Sequence, residues 1–220
     1  GRALKRRAEY VGELRGLSVG SSNTLEVVLD TGQKIQFTSA SRNTVQRPDK
    51  LRSERAGDLI SQSFYYDGRT LTVFNPDEGY FATVPAPGTI DAMVDYARDS
   101  LDIIAPAGDL VTLDAYDRLT ADATSGLVVG KSVVGGVRCD HLAVRSGAVD
   151  WRIRIEDGDK PLPRKYIITS LDLPQAPQFE QVLSNWSTDA AVKTEHFEFT
   201  PPSGAKAIRF LPVGTAGAQP

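Results

Sequence analysis

The stretch Phe64-Tyr65-Tyr66-Asp67-Gly68-Arg69-Thr70-Leu71-Thr72-Val73-Phe74 decides the fold. Two runs rich in aromatic and β-branched residues flank Asp67-Gly68, a pair that supplies the positive φ a tight hairpin turn needs. The same grammar extends upstream. Leu25, Val27 and Leu29 alternate with their neighbours, Asp30-Thr31-Gly32 turns the chain, and Ile35 and Phe37 answer from the next strand. Arg47-Pro48-Asp49 is a further turn, because the residue before proline avoids the helical region. Residues 51–55 follow as a strand with long polar side chains. Downstream, Asn75-Pro76-Asp77 leads into a strand over 80–84, and Pro85-Ala86-Pro87-Gly88 ends the run by withholding ladder donors.

A helical block then interrupts the strands. Thr89 is an N-cap, and Asp91 sits in the first turn, where the helix dipole favours it. Ile90, Met93, Val94, Ala97 and Leu101 recur at helical spacing, Pro106 breaks the pattern, and a short second helix is expected near 114–119. At the start of the chain, residues 3–14 read as a basic amphipathic helix. Its stripe is Leu4, Ala8, Val11 and Leu14, with Lys5, Arg6 and Arg7 beside it. From Gly126 the strands resume over 127–129, 137–145, 149–156, 164–171 and 179–186. In the third of these, Trp151, Ile153 and Ile155 face one side and Arg152 and Arg154 the other, so Trp151 is expected in a core or cavity.

The 220 residues, 40% hydrophobic and 24% charged, suffice for a substantial core. A net charge of −3 does not argue for a nucleic-acid partner. No apolar run approaches the roughly 18 residues a spanning helix needs. Cys139 is the single cysteine, which excludes an internal disulfide. The first residue is Gly1 rather than Met, and the expectation is that an export signal has been trimmed, with any lipid-anchoring cysteine removed alongside it.

The motifs that suggest chemistry lack its context. Gly16-Leu17-Ser18-Val19-Gly20 has the pattern of a nucleophile elbow, with His141 or His196 as conceivable bases, but it follows a helix and precedes a strand, the reverse of the order required. Gly130-Lys131-Ser132 lacks the upstream glycine and following helix of a phosphate loop, and is expected as a strand end and hairpin turn. Cys139 and His141 share a strand face, but two ligands are too few for zinc, so Cys139 is expected as a buried thiol. Glu156-Asp157-Gly158-Asp159 lacks calcium-loop spacing. No catalytic residue, metal or cofactor is assigned.

The expected architecture is an α+β fold: an open, strongly curved antiparallel half-barrel sheet of about 10–11 strands, with helices covering the concave face. It forms one domain over residues 1–220, with an N-terminal helix in 1–17, a helical lid insertion over 88–120 and a frayed tail over 212–220. A lid across such a sheet would bring together Phe37, Phe64, Tyr66, Phe81, Ile90, Met93, Val94, Ala97, Leu101 and Trp151. These are the candidate ligand-binding residues, and a filled core is the alternative reading of them.

Longer motifs support a resemblance. Gly32-Gln33-Lys34-Ile35-Gln36-Phe37, Arg47-Pro48-Asp49-Lys50-Leu51-Arg52, Phe64-Tyr65-Tyr66-Asp67-Gly68, Pro85-Ala86-Pro87-Gly88-Thr89-Ile90-Asp91-Ala92-Met93, Gly136-Val137-Arg138-Cys139-Asp140-His141-Leu142, Asp150-Trp151 and Pro161-Leu162-Pro163-Arg164-Lys165 resemble the predicted periplasmic proteins of domain of unknown function 2092. The Arg-Pro-Asp-Lys-Leu-Arg turn with a later Tyr-Asp-Gly hairpin is similar to the lipoprotein-carrier superfamily that includes LolA, LolB and LppX. That resemblance implies an open half-barrel closed by helices around an apolar cavity for acyl chains. The resemblance implies a periplasmic location, and the expected function is a non-enzymatic binding or carrier protein for a lipid or lipoprotein acyl chain, expected as a monomer, with an anchored lipoprotein form and an envelope protein partner as further options. The alternative is a cell-envelope protein-interaction module with a self-filled core and no ligand.

Overall fold

The computed structural model describes residues 2–103, 105, 108–189 and 192–210. Helix α1 (Arg2–Glu13) is followed by strands β1 (Gly16–Val28), β2 (Lys34–Gln46), β3 (Lys50–Gly57), β4 (Gln62–Tyr66), β5 (Thr70–Asn75) and β6 (Tyr80–Pro85). Helix α2 (Ile90–Leu101), a 3-10 turn (Gly108–Val111) and helix α3 (Ala115–Thr120) come next. The remaining strands are β7 (Ala123–Val134), β8 (Val137–Ser146), β9 (Val149–Glu156), β10 (Pro163–Ser170), β11 (Gln178–Ser187) and the short β12 (Lys206–Ala207).

Among the described residues, twelve strands form one open sheet in the order β12-β6-β5-β4-β3-β2-β1-β11-β10-β9-β8-β7. Two hairpin-connected meanders, β1 to β6 and β7 to β11, join where β1 pairs antiparallel with β11. The sheet is mixed rather than purely antiparallel. The twelfth strand, absent from the sequence expectation, is a two-residue addition parallel to β6. Too short to show alternation, it is held by its backbone: Lys206 N–H donates to Gly79 O at 2.8 Å and Ile208 N–H to Phe81 O at 2.8 Å.

Local chemistry explains the turns. Gly68 takes φ 91° between β4 and β5, with the Asp67 carboxylate accepting from the Arg69 and Thr70 amides. Gly135 and Gly136 (φ 55° and 80°) close the β7–β8 hairpin. The reversal expected at Gly130-Lys131-Ser132 is therefore displaced: those residues lie inside β7, where the ladder slips by one residue between Val128 and Gly130. Thr89 caps α2 by accepting from Ala92 N–H, and Asp102, in the left-handed region at φ 54°, ends it. Pro106 and residues 212–220 lie outside the described residues.

The strand order dictates where the helices run. β6 lies next to the terminal β12 at one end of the sheet and β7 forms the other end, so the segment joining them must cross the sheet. α2 buries Ile90, Met93 and Ala97 against Leu17 and Val19 of β1, Val45 of β2, Tyr66 of β4 and Leu71 of β5. A second cluster forms where Leu4 of α1, Leu110 of the 3-10 turn and Leu119 of α3 meet Leu142, Trp151, Ile153 and Tyr166. The other face of the sheet is covered near β4 to β6 by the returning C-terminal segment, where Phe199 stacks on Tyr65, Phe74 and Phe81 with ring centroids 5.1–5.3 Å apart.

Candidate functional site

The candidate site is the apolar layer between α2 and the sheet. Seven of the ten residues expected there come together. Tyr66, Ile90, Met93 and Ala97 are buried in one cluster, and Phe64, Val94 and Leu101 pack against it. Pairing explains the sheet side: Leu51 opposes Tyr66, Tyr66 opposes Leu71 and Leu71 opposes Val84, a row that shares one face across β3 to β6.

Three residues lie elsewhere. Phe81 opposes Phe74, which alternates with Leu71 and Val73, so both phenylalanines point to the far face, beneath Phe199. Phe37 opposes Leu25 on the same face as Val19, but six residues of extended chain place it about 20 Å along the β1–β2 hairpin. Trp151 shares the helix-covered face but belongs to the second cluster, 6.0 Å from the Tyr166 ring. The burial expected for Trp151 and Ile153 is observed, at 3% and 0% exposure.

The start of α2 is tied to the sheet. Tyr66 Oη donates to Pro87 O, and Ile90 N–H donates to Pro48 O at 3.0 Å. Burial, with Asp49 and Asp67 nearby, pushes the Tyr66 phenol up to about 12. The polar side of α2 is joined instead to the segment that follows it. Asp91 accepts from Leu113 N–H at 3.2 Å, Arg98 bonds Asp109 at 2.6 Å, and Arg118 of α3 bonds Asp95. Arg118 holds the Asp95 carboxyl below the usual carboxylate range. α2, the 3-10 turn and α3 are therefore bonded to one another along the polar side of α2, while Ile90, Met93 and Ala97 of α2 face the sheet.

Sequence reasoning missed a polar layer and two arginines. Asn23 Nδ2 donates to Ser41 Oγ at 2.8 Å, and Gln181 Nε2 donates to Asn23 Oδ1 at 3.0 Å, with Ser21 completing a buried set on β1, β2 and β11. Arg47 Nη2 donates to Val111 O at 2.7 Å, joining the β2–β3 turn to the 3-10 turn. Arg7 is wholly buried at 0% exposure, although its charge argues for a place beside the apolar stripe of α1 rather than in it. Positions 4, 7, 8 and 11 share one helix face, and that spacing was the available signal.

Two recesses, each about 280 Å³, lie away from this layer. One is on β1, β2 and β11 around Gly20, Arg42 and Ser184, and the other between α1 and α3 around Ala8 and Tyr116. Ser18 lines the first, within β1 and downstream of α1, where no strand-to-helix elbow lifts it. Cys139 is buried, and its Sγ donates to Val137 O. No group of three or more metal-ligating side chains occurs among the described residues.

Comparison with solved structures shows the fold. An uncharacterized conserved protein from Thermus thermophilus aligns at TM-score 0.56 and 10% identity, covering 94% of this chain and 97% of that one. The Mycobacterium tuberculosis lipoprotein LppX aligns at TM-score 0.52 and 11% identity, covering 87% and 97%. LprF from Mycobacterium bovis aligns at TM-score 0.51 and 14% identity, covering 93% and 96%. No curated protein matches the sequence. The LppX-like architecture expected from the turn motifs is thus the one the chain adopts. With residues 1–211 matching the family described as "Predicted periplasmic protein (DUF2092)", the chain belongs to that family.

Proposed function

We propose that this protein is a non-enzymatic periplasmic binding or carrier protein for a lipid or lipoprotein acyl chain. The observation behind this reading is the two-sided construction of the segment from α2 to α3. Its apolar stripe of Ile90, Met93 and Ala97 meets the sheet without a hydrogen bond from those side chains, while its polar side is bonded within the segment. Lifting of this block, which would also release the bonds of Tyr66 to Pro87 O, of Arg47 to Val111 O and of Arg7 to Leu110 O, exposes apolar walls to an acyl chain. The fold shared with the lipoprotein LppX and the periplasmic family description support the same reading. In this reading the helices lie on the concave side of a half-barrel, and Phe64, Tyr66, Ile90, Met93, Val94, Ala97 and Leu101 contact the ligand.

Saturable binding of a fluorescent fatty acid and of phospholipid, with co-purifying lipid seen by native mass spectrometry, is the expected result. Met93→Trp should fill the layer and block uptake while leaving the fold intact. Absence of saturable binding by every acyl probe overturns the reading.

A second reading is favoured by one observation. Ile90 and Met93 are 1% and 4% exposed, and neither recess lies beneath α2. A layer filled by its own side chains fits an envelope protein-interaction module. Failure of all lipid probes, together with specific capture of an envelope protein, is the outcome that selects it.

A further inference from the structure

Arg7 is the least expected side chain in the molecule. It lies on α1 between Leu4, a member of the second apolar cluster, and Val11, a member of the first. Its exposure is 0%. Nη2 donates to the Leu110 carbonyl at 2.6 Å. Nε and Nη1 have no partner among the described residues, and no carboxylate forms an ion pair with the guanidinium there. Asp109, next to Leu110 in the chain, is bonded to Arg98 instead. The ionisable groups that act on Arg7 are the Tyr166 phenol and a second cation, Arg47. Burial draws its proton affinity down to about 10, still far above neutral pH, so the charge persists inside the fold.

A permanent cation with three unpaired N–H bonds in an apolar seam is costly unless an anion meets it. A guanidinium also matches the paired oxygens of a carboxylate or phosphate better than any other side chain. A solvent-exposed arginine would do equally well for solubility, so burial calls for a buried counter-charge. Leu4 and Val11, one helical turn to either side of Arg7, belong to the two apolar clusters, so the apolar body of an anion that meets Arg7 would find apolar side chains in both directions.

We propose that Arg7 anchors the anionic headgroup of the bound amphiphile, a carboxylate or phosphate carried on an acyl chain. This rests on the lipid-binding reading and narrows it to acid-headed ligands. A headgroup oxygen accepts from Nε–H or from Nη1–H, which lie on different edges of the guanidinium, where the two clusters meet, and the chain extends along the layer under α2.

The test measures binding of oleic acid, oleoyl lysophosphatidylglycerol and oleyl alcohol to the full chain by titration calorimetry below their micelle concentrations. One or both acids should bind at least about tenfold tighter than the alcohol. The tighter acid identifies carboxylate or phosphate as the headgroup. Arg7→Met should remove that preference, leave alcohol binding in place, and melt no lower than the wild type without ligand. Arg7→Gln serves the same purpose if the methionine variant does not fold. Equal binding of all three probes, or a preference that survives loss of Arg7, overturns the proposal while leaving lipid binding standing. A lower melting temperature in Arg7→Met with the acid preference unchanged identifies Arg7 as a structural group solvated by internal water, which also overturns it. Failure of all three probes to bind removes the lipid reading and this proposal together.

Discussion

Met93→Ala probes the layer on which the function rests. Met93 is 4% exposed and packs in the cluster with Ile90, Leu17, Val19, Val45, Tyr66 and Leu71. The substitution removes three heavy atoms, a transfer loss of about 2 kcal/mol. The unfilled space beneath a helix tied down at its start adds to this, for a total of about 3 kcal/mol. Alanine's better helix propensity returns only a few tenths of a kcal/mol. For a domain of this size, the melting temperature should fall by about 6–12 °C. Urea unfolding followed by far-UV circular dichroism measures the change, with an unaltered denaturant slope confirming that the native and unfolded states keep their compactness. A loss below about 1 kcal/mol would refute the packing of α2 on the sheet. The cavity also links stability to function. If acyl chains occupy this layer, a saturating fatty acid should recover part of the lost stability by mass action, and recover more in Met93→Ala than in wild type.

Trp151→Ala should cost about 3–5 kcal/mol, because the indole is 3% exposed and packs on Tyr166 under Leu4 and Leu110. Chemical denaturation reads this directly, and a cost under about 1 kcal/mol would mean the face of β9 is wrongly assigned. Asp95 titrates below its ordinary value because Arg118 binds its carboxylate. The stabilisation is therefore complete above the unfolded-state value near about 4 and is lost as the pH falls through the folded one. Asp95→Asn should be less stable than wild type at neutral pH, with the gap closing in acid. A gap independent of pH would show that the pair does not couple α2 to α3.

Much of the secondary structure was legible because it is decided locally. Asp67-Gly68 fits one hairpin turn, Thr89 offers an oxygen where α2 has orphan amides, and the alternation of Trp151, Ile153 and Ile155 marks one face of a strand. Seven of the ten proposed layer residues were found because helix and strand periods sort side chains by face within each element. Periodicity does not say what covers a face. Phe81 went astray because β6 has apolar residues on both faces and the chain returns near Phe199 to cover the second. Phe37 is on the right face, but only the register of a thirteen-residue strand shows how far along it lies. Trp151 joined another cluster because α1 and the 3-10 turn, remote in sequence, reach β9 first. Arg7 shows the limit most sharply. Its spacing from Leu4 and Val11 puts it on the buried face, while its charge argues for water. The amino-acid sequence determined the turns, the caps and the two-faced strands, since these depend on neighbours within a few residues. The strand order decided which faces are covered, and with it the burial of Arg7, because only chain returning from distant positions could exclude water there.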